Sequence, residues 1–140
     1  HPRLITAMAL TLTISQKELQ RQAAAALETK AYTIFLATNS GALTSESTYS
    51  SWFAVKAVGT GYANVTGTLA AGSYNATTGR WELPAVTATF TCTGDFYSFD
   101  TICVRIATET YLHSINVESP SVTLVSGQSK TYTITFAVDN

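Results

Sequence analysis

Hydrophobic and polar residues alternate along most of this chain, and the alternation predicts a protein built mainly of β-strands. Near the start, Leu10, Leu12 and Ile14 alternate with Thr11 and Thr13, the two-residue period of a half-buried strand. The period then changes. Ser15-Gln16-Lys17-Glu18 matches a capping box, in which a Ser hydroxyl and a Glu carboxylate each satisfy a backbone N–H of the first helical turn. Leu19, Ala23, Ala26 and Leu27 follow as an apolar stripe, with Lys17, Gln20, Arg21 and Glu28 mostly outside it. One long helix is therefore expected over about 15–29, and its alanines keep one face thin enough to lie close on a sheet.

From Ala31 onward the β-pattern dominates. Tyr32, Ile34 and Leu36 alternate with Thr33, Phe35 and Ala37, an almost wholly apolar run that predicts a strand buried on both faces. Tyr49, Trp52 and Val55 fall three apart, which suggests one or two helical turns between Ser47 and Lys56, with a strand as the alternative. Short strands come next, separated by turn signals such as Asn75-Ala76-Thr77-Thr78-Gly79, Gly94-Asp95 and Thr108-Glu109-Thr110. Val86, Ala88, Phe90 and Cys92 alternate cleanly with Thr. Asp100, Ile102, Val104 and Ile106 are expected on one face of the next strand, with Thr101, Cys103 and Arg105 on the other. Glu118-Ser119-Pro120 and Ser126-Gly127-Gln128 punctuate the last two strands. In the final one Tyr132, Ile134, Phe136 and Val138 are expected to face inward. The sum is an antiparallel β-sandwich or jelly-roll-like fold of about eight strands with one N-terminal helix. Residues 1–14 read as an arm and first strand, and 15–140 as a single domain.

Composition sharpens this picture. Charged residues make up only 12% of the 140, where a typical soluble protein has about 25%. Hydroxyls take their place, for Ser and Thr supply about a quarter of the chain, and Thr suits a pleated strand with a wet outer face. Weak like-charge repulsion suits a protein packed against neighbours. A net charge of −1 without any basic run argues against nucleic-acid binding, and no apolar stretch approaches the length of a membrane helix. Cys92 and Cys103 each fall in an apolar strand pattern and read as two reduced core thiols, with a single bridge as the alternative.

The search for chemistry is largely negative. His113 is expected mid-strand as a packed or edge residue, and the nine carboxylates are scattered singly. No nucleophile elbow, phosphate loop or zinc spacing is present, so the chain reads as non-enzymatic, without cofactor or metal. Asp95 and Asp100 read as turn caps rather than a Ca²⁺ loop. Asp100, on an apolar face, would need a partner such as Arg105, Arg80 or a backbone N–H. Trp52, Trp81, Tyr74 and Tyr97 offer a sugar platform on one reading and core packing on the other, with Trp81 the candidate for an exposed aromatic.

Several segments carry a resemblance. They are Met8-Ala9-Leu10-Thr11-Leu12 with the capped helix, Gly61-Tyr62-Ala63-Asn64-Val65-Thr66-Gly67, Tyr74-Asn75-Ala76-Thr77-Thr78-Gly79-Arg80, and the ending from Gly127-Gln128-Ser129 to Val138-Asp139. Together they resemble small structural proteins of tailed bacteriophages, particularly those infecting cyanobacteria. That group holds capsid decoration (cement) proteins and tail or fibre-attachment components. Its members begin at the equivalent of Met8. Residues 1–7 then read either as an upstream start or as an arm suited to a neighbouring subunit.

The resemblance implies a virion protein made in the bacterial cytoplasm that binds the major capsid protein or other virion subunits and forms a homo-oligomer. Arg3, Leu4, Ile5, Leu10, Leu12, Tyr132 and Ile134 are the expected inter-subunit contacts. A tail component is the alternative, and a carbohydrate-binding or adhesin module is the alternative of another class.

Overall fold

Ser15 opens the first helix as its hydroxyl predicts. In a computed structural model describing residues 14–38, 43–44, 46–52 and 54–138, Ser15 Oγ accepts from the Glu18 N–H at 3.3 Å, and α1 spans Gln16–Ala25. The reciprocal half of the box does not form. The Glu18 carboxylate turns instead to Arg21, one turn on, whose guanidinium grips it at 2.9 and 2.6 Å. Beyond Ala25 the chain turns to Thr29, which takes a left-handed φ of 65° and donates its N–H to Leu69 O. The buried stripe also differs from the expected one. Gln20 and Ala24 face inward while Leu19 is exposed, because the Gln20 amide reaches Gly79 O at 3.1 Å and turns the helix that way.

The strands are β1 (Ala31–Ala37), β2 (Val65–Thr68), β3 (Ser73–Asn75), β4 (Arg80–Glu82), β5 (Val86–Thr91), β6 (Tyr97–Ile106), β7 (Ser114–Leu124), β8 (Ser129–Ile134) and β9 (Ala137–Val138). A single-turn helix α2, Tyr49–Trp52, interrupts them where the three-residue spacing suggested helical turns. All pairings are antiparallel. The larger sheet has the order β2-β1-β6-β7, and the smaller ones are β3-β4-β9 and β5-β8.

The two smaller sheets form one bent ribbon. β4 and β5 are consecutive, as are β8 and β9, and Leu83 N–H donates to Phe136 O at 2.9 Å across the bend. The ladder extends to Cys92, which exchanges bonds with Gly127 and Gln128. Pro84 sits at the bend, where its missing N–H costs no ladder bond. The fold is mainly β and sandwich-like, as the alternation predicts.

The main core lies between the large sheet and the ribbon. Ile34, Leu36, Phe99, Val104 and Ile106 meet Leu83, Ala88, Phe90 and Phe136, with Ala24 of α1 beside them. A second cluster covers the other face of the large sheet, where Phe35, Ala37 and Cys103 pack under Trp52, Leu43 and Leu112. β1 is thus buried on both faces, as its continuous apolar run predicts. Cys92 belongs to the first cluster and Cys103 to the second, and both thiols are free. On the ribbon's outer face the hydroxyls pair across strands, Thr89 with Thr131 at 3.0 Å and Thr91 with Ser129 at 2.8 Å.

Three expectations need correction. Asp100 does not share the face of Ile102 and Val104. Phe99 pairs with Val122 and Thr101 with Val117, so Asp100 alone stands opposite residues 118–121. This irregularity lets Tyr97 and Phe99 stay in the main core along with Ile102 and Val104, while Asp100 accepts from the Thr101 hydroxyl at 2.9 Å and lies near Cys103. Glu118-Ser119-Pro120 does not end a strand. β7 runs through it, with a cis Ser119–Pro120 bond, because the surplus residues are absorbed at an edge strand. The turn at Thr108-Glu109-Thr110 is longer than expected, for β7 begins only at Ser114 and His113 therefore precedes the strand. The strand expected at Leu10 to Ile14 falls almost wholly outside the described residues, as do Arg3, Leu4, Ile5, Leu10 and Leu12.

Candidate functional site: the open side of the sandwich

One side of the sandwich is closed by β5 lying against β2. On the other side β7 borders the large sheet and β8 borders the ribbon, and among the described residues no backbone bond joins them. A cleft of about 570 Å³ opens there, within the usual range for ligand sites.

Strand phase explains the opening. Antiparallel partners share a face, and Ser114 pairs with Val104 while Asn116 pairs with Ile102. Ile102 and Val104 point into the main core, so Ser114 and Asn116 are the inward residues of β7. Two polar side chains therefore occupy positions where the core would continue, so at this end of β7 the apolar layer stops at β6, whereas Val122 and Leu124 carry it onto the far end of the strand. The apolar residues in this first part of β7 lie in the opposite phase. Ile115 packs on the second cluster, and Val117 is 71% exposed.

The facing wall is apolar. Ile134 and Phe136 line it, with Tyr132 at one end. Tyr132 spans the cleft and donates its hydroxyl to Glu118 Oε1 at 2.6 Å. Burial and this carboxylate together hold the Tyr132 proton on well above the ordinary phenol range. At the rim, His113 Nδ1 lies 3.0 Å from both oxygens of Glu109, and its ring tilts against Phe136. Asn116 Nδ2 donates to Ser114 Oγ at 3.2 Å. The cleft thus has one polar wall, one apolar wall, and two strand edges that are not joined by backbone bonds among the described residues.

The opposite face of the large sheet is built differently. Trp52 is 3% exposed and donates its indole N–H to Leu36 O at 3.0 Å, and its ring centroid is 4.3 Å from that of Phe35. The Arg105 guanidinium lies 4.1 Å over Tyr49. Burial, with Asp100 adding to it, pushes the Cys103 thiol up to about 12. A proton held that firmly makes a structural thiol, not a nucleophile. Among the described residues no three His, Cys, Asp or Glu side chains converge as a metal site.

The sequence-level candidates divide accordingly. Tyr132 and Ile134 are half-buried and line the cleft together. Trp81 is half-buried on β4, its ring centroid 6.4 Å from that of Tyr74, with its indole nitrogen enclosed and without a hydrogen-bond partner among the described residues. Trp52 and Tyr97 are buried, Tyr97 donating to Thr91 O, so the four-aromatic sugar platform is not assembled. Sequence reasoning missed Ser114 and Asn116. Their signal was alternation in the wrong phase, with Ile115 and Val117 apolar where an inward strand needs 114 and 116 to be. Compared with protein-family models, curated proteins and solved structures, the chain matches none.

Proposed function

We propose that this chain is a non-enzymatic structural subunit of a tailed bacteriophage particle, seated on the assembled head as a decoration or cement protein. The observation that carries the reading is the open side of the sandwich, where two strand edges, unpaired among the described residues, flank a half-apolar cleft. Exposed edges pair readily with another chain, and proteins that stay single blunt them with charge. Here such protection is partial: Lys130 stands on β8, and Glu118 and Pro120 with the register irregularity on β7, while the outer positions of β8 are Thr131 and Thr133. The resemblance to phage structural proteins supplies the particular assembly.

A subunit that binds only the assembled lattice stabilises it by mass action, and contacts to several lattice subunits at once raise the effective concentration. Cryo-electron microscopy of the purified particle tests the reading. Density for this sandwich is expected at repeating positions on the head surface. Absence of the chain from purified particles would overturn the proposal, and density confined to the tail would replace it with the tail-component reading.

A further inference from the structure

The cleft offers two strand edges that are free among the described residues, and they are unlike. The β7 edge presents Ser114 and Asn116 inward, whereas the β8 edge and its continuation present Tyr132, Ile134 and Phe136 inward with Thr131, Thr133 and Thr135 outward. A strand added to β8 would need the same alternation, apolar toward the core and hydroxyl toward solvent. One segment of the chain has it. Leu10 and Leu12 alternate with Thr11 and Thr13, Met8 is in phase with them across the small Ala9, and this segment stands outside the described residues. Its apolar side chains would cover Ile134 and the floor formed by Ile102 and Val104, and its threonines would extend the hydroxyl rows already paired between β5 and β8.

We propose that the cleft between β7 and β8 receives residues 8–13 of a second copy of this chain, added as an antiparallel strand to the free edge of β8. Two observations favour a second copy over the chain's own segment. The first is direction. α1 comes directly after residue 14, and its first two turns reach Tyr74 and Gly79, beyond the Trp81–Val138 end of the ribbon. Running back from there, the chain's own residues 8–13 would lie parallel to β8. A neighbour's segment is free to run antiparallel, the slightly more stable pairing. The second is charge. A net charge of −1 leaves little repulsion between copies.

This inference is independent of the phage reading, because it concerns the purified chain alone. Two variants test it, Thr11→Cys and Thr133→Cys, both at polar positions of the alternation and both in the full chain with its two buried thiols. The variants are mixed and oxidised, and a disulfide-linked dimer containing one of each is the expected result. Neither variant alone, nor the unaltered chain, should give that species. A second measurement places both substitutions in one chain. A bridge forming only within that chain, with no cross-linked dimer, overturns the second-copy occupant in favour of the chain's own segment. No bridge in either format, with circular dichroism showing both variants folded, overturns docking at this edge. The mixed dimer fails independently of whether the chain is ever found on a phage head.

Discussion

β1 and β8 differ in binary pattern, one apolar almost throughout and the other alternating, and they end in opposite environments. β1 reads Ala-Tyr-Thr-Ile-Phe-Leu-Ala and is enclosed on both faces, with strands hydrogen-bonded on both sides. β8 reads Ser-Lys-Thr-Tyr-Thr-Ile and is paired on one side only, with a cleft beside it. Part of the difference lies in the strands' own residues and part in what stands opposite. The neighbours of β1 supply apolar residues in phase on both faces, such as Cys103 beside Phe35 and Val104 beside Ile34. Across the gap from β8, the strand that could have continued the core offers Ser114 and Asn116. Extending a core takes agreement of phase between strands as well as apolar residues within each of them.

The sharpest way to break this contrast is to remove apolar volume from the enclosed side. Phe35→Ala should cost about 3–5 kcal/mol in chemical denaturation, since Phe35 is 0% exposed and wedged between Trp52 and the sheet. Alkaline pH attacks the same region next. The unfolded Cys103 thiol ionises near 9.0 while the folded one keeps its proton to about 12, so the unfolded chain sheds its proton first. Stability should be undiminished by this group below pH 9 and should fall progressively from 9 toward 12, and Cys103→Ala should flatten that slope. Trp52→Phe removes one buried donor. A loss of about 1 kcal/mol is expected, because Leu36 O keeps its bond from Ala57 N–H. The open side should respond least. Asn116→Val is expected to change stability by no more than about 0.5 kcal/mol. A loss as large as that of Phe35→Ala would show that the polar wall of the cleft is packed rather than open.

Much of the fold was legible because each strand's inner face declares itself locally. Val86, Ala88, Phe90 and Cys92 against the threonines needed no partner to be read, and β5 keeps that alternation through Phe90, with Cys92 buried just past its end. The double burial of β1 was also legible, because only a covered face tolerates Phe35 and Ala37. The cleft was not. It depends on register between β6 and β7, which is fixed by the Phe99–Thr101 irregularity and the surplus residues opposite Asp100. Nothing in Ser114 or Asn116 alone reveals which way they point. Likewise Gln20 looks like an outer helix position until Gly79, far along the chain, gives its amide a carbonyl. Long-range pairing decides both.

The hydroxyl pairs on the outer face of the ribbon have a consequence for the medium in which the chain works. Thr89–Thr131 and Thr91–Ser129 are neutral contacts, so dissolved ions have nothing to screen there. A face held by ion pairs loosens as ionic strength rises, whereas this one should hold the same shape in fresh water and in brine.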